Sequence, residues 1–371
     1  MKRLRASIAA VPVLLAAFLT TPSARAEVVA PEFTDGSGLT VVGDAVSDPK
    51  DPASGFVITV TTPEVAGKHP IRIILPADYA TSPTKRYPVL YLLHGTGDNP
   101  TNPSLAYPAI RSTIARSSMI TVIPDGGLRG WYNDWLMQNT AAGAQKWETF
   151  HLTQVIPFID ANLRTIGTKQ GRAIAGISMG GFGALHYAQR RPDLFSQVAT
   201  LSGANDLSLA YVRSAVVATE LNATGAICAI SSSGSGGASS GEGNCSGFGP
   251  VVSSDAIFGS PYWWGANGGD WYWTQRNPVS NMRALAGMGI SIYTGNNSFV
   301  ESVVEAAAKN TKASLDRLGY PYHYVNYGDG SSWGAGCDGK HWTGGAGAYN
   351  CWSQDLVDLI PRLEQNLAPA S

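Results

Sequence analysis

The sequence predicts an α/β domain in which a mostly parallel central sheet carries helices on both faces. Short apolar runs recur along the 371-residue chain, and Gly, Pro or His ends several of them. Such runs are typical of strands that are buried on both faces of a parallel sheet. Segments with helical spacing lie between these runs, and an alternation of strand and helix indicates a parallel sheet.

The predicted strands differ in pattern. Residues 88–93 (PVLYLL) and 119–124 (MITVIP) are uninterrupted apolar runs, residues 56–61 alternate, and Pro76 ends the run at 71–75. Continuous runs indicate full burial, whereas alternation indicates one exposed face. The complete set of predicted strands is 39–42, 56–61, 71–75, 88–93, 119–124, 172–176, 198–201, 290–294 and 322–327.

The predicted helices lie between these strands. Residues 147–163 have apolar side chains at helical spacing, and residues 180–190 form a small-residue helix that stops near Pro192. Residues 299–318 and 352–367 are the last two predicted helices.

An interruption at about residues 205–285 breaks the alternation of strand and helix. It contains the tract SSSGSGGASSGEGNCSG, which is of low complexity and indicates a flexible loop, and an aromatic cluster follows the tract. We therefore expect a single domain, residues 27–371, with an inserted cap region at about 205–285.

The first residues predict export. Residues 1–26 combine a basic start, a short apolar run and an Ala24-Arg25-Ala26 end, which is typical of a cleaved signal peptide. The apolar run is short for a membrane span, so an uncleaved anchor is the weaker alternative and stable membrane insertion is not expected. The expected location is secreted, extracellular or associated with the cell wall. Charged residues are only 14% of the chain and the net charge is −1, which excludes a basic surface for nucleic acid.

The four cysteines predict disulfides, because an even number in an oxidising compartment favours pairing. We prefer the neighbour pairing of Cys228 with Cys245 and of Cys337 with Cys351, since each pair closes a short Gly-rich loop. Zinc is the rival interpretation, and the absence of a C-x-x-C pair weakens it. No metal and no cofactor are expected.

Residues 176–180 (GISMG) match the G-x-S-x-G motif and make Ser178 the candidate nucleophile. The motif places its serine on a strained turn from strand to helix, and the chain predicts a strand before it and a helix after it. This context favours the α/β-hydrolase fold over an ordinary Gly-rich turn. The backbone N–H of Met179 is one candidate oxyanion donor. The loop after residues 88–93 supplies the other, with Thr96 first and Gly97 next, while His94 is expected to support the loop.

The base is predicted by elimination among the histidines that follow Ser178. His186 lies two turns into the helix after Ser178, and His323 lies at the start of a strand, so neither is well placed. His341 lies in a loop between Cys337 and Cys351 and is the preferred base, with a surface histidine as the alternative.

The acid cannot be assigned from the residues alone. No aspartate occurs between Trp271 and Leu315, so the usual position after the strand at 290–294 is empty. Glu301 and Glu305 are the nearby carboxylates, and they lie one helical turn apart on the same predicted face. The pattern leaves both open.

Four motifs resemble those of the antigen 85 mycolyltransferases and the wider esterase D group. They are WYNDW (131–135), KWETF (146–150), GISMGG (176–181) and GKHW (339–342). The resemblance runs from about residue 56 to the C-terminal helix. It departs from the family in the first oxyanion loop, which lacks the arginine that contacts trehalose, and in the Gly-rich stretch at 343–348.

The resemblance implies a Ser-Glu-His triad of Ser178, Glu305 and His341, because it matches the segment 303–305 to the family's glutamate. It also implies Met179 and Thr96 as oxyanion donors. The expected function is a serine-dependent carboxylic-ester hydrolase or acyltransferase that forms an acyl-enzyme.

The expected partners are an acyl ester and a sugar or glycolipid acceptor. Substrate-binding candidates are Trp263, Trp264 and Trp342, for which packing in the core is an equal alternative. The competing function is a non-catalytic protein that binds the cell wall or acts in adhesion, since a fold alone does not prove activity.

Overall fold

The computed structural model describes residues 29–51, 54–101, 104–223, 247–262, 270–341 and 346–371. Several predictions concern residues outside these ranges. They are the signal peptide at 1–26, the cysteines Cys228 and Cys245, and the tryptophans Trp263, Trp264 and Trp342.

The described residues form one ten-stranded sheet, which confirms the predicted α/β class. Its strands are β1 (Thr40–Val41), β2 (Val46–Ser47), β3 (Gly55–Thr61), β4 (His69–Ile74), β5 (Val89–Leu93), β6 (Ile120–Pro124), β7 (Arg172–Ile177), β8 (Gln197–Leu201), β9 (Gly289–Gly295) and β10 (His323–Gly328).

The strand order is β1-β3-β4-β6-β5-β7-β8-β9-β10, and β2 pairs with β3. Strands β6, β5, β7, β8, β9 and β10 are mutually parallel, whereas β4 is antiparallel to both of its neighbours. Because the carboxyl ends of parallel strands meet at one edge, the loops after β5, β7, β8 and β9 all converge there. This mixed sheet with its helices has the α/β-hydrolase fold.

Helices cover both faces of the sheet. Three consecutive segments form one continuous helical run: Trp147–Thr149, the π-helical Phe150–Val155, and Ile156–Asn162. The other helices are Pro108–Ile114, Met179–Arg190, Ala210–Glu220, Trp271–Arg276, Phe299–Leu318 and Ala346–Asn366. Three of these, Pro108–Ile114, Ala210–Glu220 and Trp271–Arg276, were not predicted, and neither was β2. Within the described ranges, no helix is both long and apolar enough to cross a bilayer.

The motifs WYNDW and KWETF form part of the core. Trp131, Tyr132, Trp135, Trp147 and Phe150 are all buried in the larger of the two hydrophobic clusters. The hydroxyl of Tyr132 donates to the carbonyl oxygen of residue 94, 2.9 Å away, and its ring fills the space above Gly183. These motifs therefore support the loop after β5 from behind.

Gly183 provides a test of this packing. A Cβ at this position would lie 2.5 Å from Cγ of Tyr132, so we expect Gly183→Ala to destabilise the protein by about 1–3 kcal/mol. Alanine ordinarily stabilises a helix relative to glycine, so the sign of the change is informative. Urea unfolding measures the effect. Gly36→Ala is the control, because a Cβ there meets nothing within 4 Å. An unchanged or higher urea midpoint for Gly183→Ala would contradict the packing described.

Candidate active site

Ser178 lies at the turn between β7 and the helix Met179–Arg190, with φ 57° and ψ −119°. A non-glycine residue with positive φ is strained and is found where a fold holds it firmly. A Cβ at Gly176 would collide with the carbonyl of Gly180, and one at Gly180 would collide with the carbonyl of Leu93. The two glycines of G-x-S-x-G are therefore required by close backbone approaches on either side of Ser178.

The predicted base reaches Ser178. Nε2 of His341 lies 2.9 Å from Oγ of Ser178, although 163 residues separate the two in sequence. On the other side of the ring, Nδ1 of His341 lies 2.8 Å from Oε2 of Glu301. A serine, a histidine and a carboxylate thus form one hydrogen-bonded chain, which is the geometry by which triads are identified.

The choice of Glu305 as the partner of His341 is wrong. Oε1 of Glu305 instead binds Nζ of Lys309 at 2.9 Å and Nδ2 of Asn326 at 2.7 Å, near the protein surface. Four residues of helix rise move Glu305 about 6 Å further from the sheet edge than Glu301. The assignment that rested on the family resemblance therefore fell on a glutamate one helical turn C-terminal to the one that contacts His341.

A sequence signal for Glu301 exists. Ser298 caps the helix Phe299–Leu318, and its Oγ accepts the backbone N–H of Glu301 at 3.1 Å. The spacing S-x-x-E is that of a capping box, which fixes the glutamate in the first turn. Since this helix directly follows β9, a first-turn carboxylate lies at the sheet edge where Ser178 also lies.

The loop that carries His341 is held at several points. A disulfide joins Cys337 to Cys351, as predicted, with 4.5 Å between the Cα atoms. The N–H of Asn297 donates to the carbonyl of Gly339 at 2.8 Å, and the Asn297 side chain donates to the carbonyl of Asp338 at 2.8 Å. These contacts fix the loop to the segment between β9 and Glu301, so base and acid share one support.

The loop after β5 borders Ser178. A Cβ on Gly95 would lie 3.3 Å from Cβ of Ser178. The N–H of Gly97 donates to the carbonyl of Leu128 at 2.7 Å, so it is already used. Within the described residues, the Thr96 N–H has no acceptor, and Met179 is the first residue of its helix, where N–H groups have no intrahelical acceptor. Thr96 and Met179 therefore retain donors next to Ser178.

His94 orients the Thr96 N–H. Nδ1 of His94 lies 2.9 Å from the carbonyl oxygen of Gly95, and Nε2 accepts the N–H of Gly126 at 2.8 Å. Since Nε2 accepts, Nδ1 carries the proton and donates. The Gly95 carbonyl and the Thr96 N–H belong to one planar peptide and point in opposite directions. By holding the carbonyl, His94 fixes the direction of that N–H.

Two other histidines after Ser178 have partners elsewhere. His186 binds Glu148 at 3.0 Å and His323 binds Asp358 at 2.8 Å. Neither contacts Ser178, in agreement with the elimination from sequence. Among the residues that the structure describes, no group of three or more His, Cys, Asp or Glu side chains is placed to hold a metal ion.

Comparison with known proteins identifies the family. The family model described as “Putative esterase” matches residues 62–362 of this chain. The chain belongs to this esterase family. It is 39% identical to Esterase Rv1288 of Mycobacterium tuberculosis over 170 residues, which are 46% of this chain and 36% of that protein. The chain thus matches about a third of the length of this relative.

Further relatives include the diacylglycerol acyltransferase/mycolyltransferase Ag85A of Mycobacterium leprae, 36% identical over 96 residues, or 25% of this chain and 28% of that protein. Among solved structures, MPT51 of Mycobacterium tuberculosis has a TM-score of 0.60 at 16% identity and covers 84% of this chain and 97% of its own. An S-formylglutathione hydrolase from Agrobacterium tumefaciens has a TM-score of 0.57 at 14% identity, covering 85% and 95%. These structural likenesses show the fold.

The segment between β8 and β9 of this esterase-family chain packs on the loop after β5. Cε1 of Phe248 lies 3.6 Å from the position that a Cβ on Gly97 would take. The N–H of Phe248 donates to Oδ1 of Asn222 at 2.7 Å, and the guanidinium of Arg129 donates to the carbonyl of Pro250. Phe248 is therefore held from both sides beside the loop that carries Thr96.

Glu220 anchors the same segment from inside. Its Oε1 accepts the N–H of Ile257 at 2.8 Å, while Oε2 is buried and has no hydrogen-bond partner within the described residues. Arg129 donates to the backbone carbonyls of Thr219 and Glu220 rather than to the carboxylate. Burial raises the pKa of Glu220 to about 8, although Arg129 opposes this shift.

The structure predicts which glutamate matters for activity. Glu301→Gln keeps the shape but cannot stabilise a charged imidazole, so we expect kcat for a p-nitrophenyl ester to fall by roughly 10³–10⁴. Glu305→Gln is the matched control on the same helix and should stay within about twofold, since this side chain binds only surface groups. Equal losses in both variants, or a larger loss in Glu305→Gln, would contradict the assignment of Glu301.

Glu220 predicts a pH-dependent stability. Its ordinary pKa is 4.5 and the folded value is about 8, so the folded state retains a proton that the unfolded state releases. This contribution is complete below pH 4.5 and is lost as the pH rises through 8. Glu220→Gln removes the titration and should be more stable than wild type by on the order of 4 kcal/mol at alkaline pH.

Urea unfolding across the pH range measures this difference between Glu220→Gln and wild type. The difference should shrink towards mildly acidic pH, where wild-type Glu220 is protonated. Glu32→Gln, at an exposed position, is the control and should follow the wild type. A constant difference at every pH would exclude Glu220 as the titrating group.

Proposed function

We propose that this protein is a serine-dependent carboxylic-ester hydrolase or acyltransferase that acts through Ser178, His341 and Glu301. The hydrogen-bonded chain from Oγ of Ser178 through His341 to Glu301 carries the proposal, with contacts of 2.9 Å and 2.8 Å. Membership of the esterase family agrees with it.

In the proposed first half-reaction, Nε2 of His341 takes the hydroxyl proton as Oγ of Ser178 attacks the ester carbonyl carbon. The carbonyl oxygen becomes an oxyanion, which the N–H groups of Thr96 and Met179 stabilise, each worth about 3 kcal/mol. The C–O bond to the alcohol then breaks, His341 donates its proton to the leaving alkoxide, and an acyl-enzyme remains on Ser178.

In the second half-reaction, an acceptor hydroxyl reverses these steps. His341 removes a proton from water or from an alcohol, whose oxygen attacks the acyl carbon. The oxyanion forms at the same donors, and the bond to Ser178 breaks as Oγ recovers its proton from His341. Glu301 orients the imidazole and stabilises its positive charge during both halves.

Hydrolysis and transfer use the same residues and differ in the acceptor that reaches the acyl-enzyme. The names of the relatives include both activities, an esterase and a mycolyltransferase. A sugar or glycolipid hydroxyl is the proposed acceptor for transfer, and Trp263, Trp264 and Trp342 remain the proposed contacts for it. The departures from the family in the first oxyanion loop argue against trehalose as the acceptor.

We further propose that the protein acts outside the cytoplasm. The signal-peptide pattern at 1–26 supports export of a single domain, residues 27–371, with its cap at about 205–285. The Cys337–Cys351 disulfide also supports export, because such bonds persist in oxidising compartments. A second disulfide between Cys228 and Cys245 is part of the same proposal.

The nucleophile can be tested directly. Ser178→Ala removes the attacking oxygen, and we expect its kcat for p-nitrophenyl acyl esters to fall by at least about 10³, because loss of a triad serine removes covalent catalysis. Ser112→Ala is the control, since Ser112 is exposed on the helix Pro108–Ile114. Unchanged turnover in Ser178→Ala would contradict the serine mechanism.

Two further outcomes of this assay bear on the activity. A wild-type protein that turns over no ester of any chain length would favour the non-catalytic binding protein. Addition of glycerol, glucose or trehalose as acceptor distinguishes transfer from hydrolysis by the acylated product formed.

A further inference from the structure

Glu301 is a buried carboxyl group, and its second oxygen has partners of its own. The side chain is fully buried, and Oε2 faces His341. Oε1 accepts the N–H of Gly295 at 2.8 Å and the hydroxyl of Ser202 at 2.7 Å. The hydroxyl of Thr294 lies further from Oε1, at 3.4 Å. A buried carboxylate stays ionised only if such donors replace water, so the partners of Oε1 influence the charge of the carboxylate that faces His341.

The proton of Ser202 has one possible destination. Nε1 of Trp352 is a donor only, and it lies 3.2 Å from Oγ of Ser202. An ionised carboxylate accepts only, so the single hydroxyl proton of Ser202 points to Glu301. Oη of Tyr327, 3.3 Å from Oγ of Ser202, must then donate to it. Oγ of Ser202 therefore accepts hydrogen bonds from Trp352 and Tyr327 and donates one to Glu301.

The backbone of Ser202 is held in a conformation that aims its side chain at Glu301. Ser202 follows β8 directly, is fully buried and has φ 47°. Its N–H donates to the carbonyl of Tyr293 in β9 at 2.8 Å. Two residues later, the N–H of Ala204 donates to the carbonyl of Ser178 at 3.3 Å. One short turn therefore contacts both the backbone of the nucleophile and the carboxylate of the acid.

The other titratable groups around this cluster are Tyr327 from β10, Asp338 from the loop that carries His341, and Asp355 from the helix Ala346–Asn366. Oδ1 of Asp355 accepts Nε1–H of Trp333 at 2.6 Å, and Oδ2 has no partner within the described residues. Burial raises the pKa of Tyr327 and of Asp355 well above their ordinary values, which favours the neutral form of each. Of these groups, Glu301 is the one that contacts His341 directly.

We propose that Ser202 is a positioning residue for the triad. Its hydroxyl holds Glu301 in the charged form and in the orientation that His341 requires. This inference rests on the proposed function. The inference adds a fourth side chain, that of Ser202, to the proposed mechanism. Ser202 acts through Glu301 and does not touch the substrate.

Ser202→Ala removes the hydroxyl and keeps the Cβ. We expect kcat for a p-nitrophenyl ester to fall roughly tenfold to hundredfold, as for loss of a hydrogen bond to a buried charge, with KM within about twofold. With one donor fewer, the carboxylate attracts the imidazolium proton more strongly. The acidic limb of the pH profile of kcat/KM should therefore move to higher pH.

Two further variants separate this role from a structural one. Ser202→Gly also removes the hydroxyl but tolerates positive φ, so an equal loss of kcat in both variants assigns the effect to the hydroxyl and not to strain. Tyr327→Phe leaves the Ser202 proton directed at Glu301 by Trp352, and it should keep the wild-type acidic limb and kcat within about threefold. A lower melting temperature with an unmoved acidic limb in both Ser202 variants would overturn the proposal.

The titration of His341 followed by NMR needs no substrate and separates this proposal from the proposed function. A midpoint that rises in Ser202→Ala and Ser202→Gly supports the role of Ser202 even if the wild type turns over no ester. An unmoved midpoint in both variants overturns it even if Ser178→Ala abolishes activity.

Discussion

The hydrogen bond between Glu301 and His341 is the interaction on which the rest of the site depends. It joins a fully buried carboxylate to Nδ1 of the imidazole, and it fixes Nε2 as the ring nitrogen that faces Ser178. Different parts of the fold meet to keep this pair in place. β9 ends at the N–H that binds Glu301, β8 supplies Ser202, and the disulfide loop supplies His341.

The sheet and the nucleophile could be predicted because their signals are local. Continuous apolar runs identified strands such as β5 and β6, and G-x-S-x-G requires its glycines within a few residues of Ser178. The acid was not predictable in the same way, because Glu301 and Glu305 share a helix face and differ only in their distance from the sheet edge. That distance depends on the residue at which the helix begins, which the capping residue Ser298 determines. Ser202 was missed because its contacts are long-range and no pattern marks them.

The motifs that carried the family resemblance describe the scaffold more than the chemistry. The aromatic residues of WYNDW and KWETF are buried behind the loop after β5, and Tyr132 binds the carbonyl of His94. Their role is to keep that loop rigid, so that a backbone N–H can point at Ser178. A resemblance through such motifs is informative about the scaffold that supports the active site, and less informative about its substrates.

The distance in sequence between Ser178 and His341 has a consequence for the order of folding. The strand β7 and the helix that form the turn at Ser178 end by residue 190, whereas the base comes 163 residues after the serine, just before the last helix. Contacts of such separation close late, because the entropy of the intervening loop must be overcome first. The site is therefore completed only when the segment that carries His341 docks against the rest of the fold.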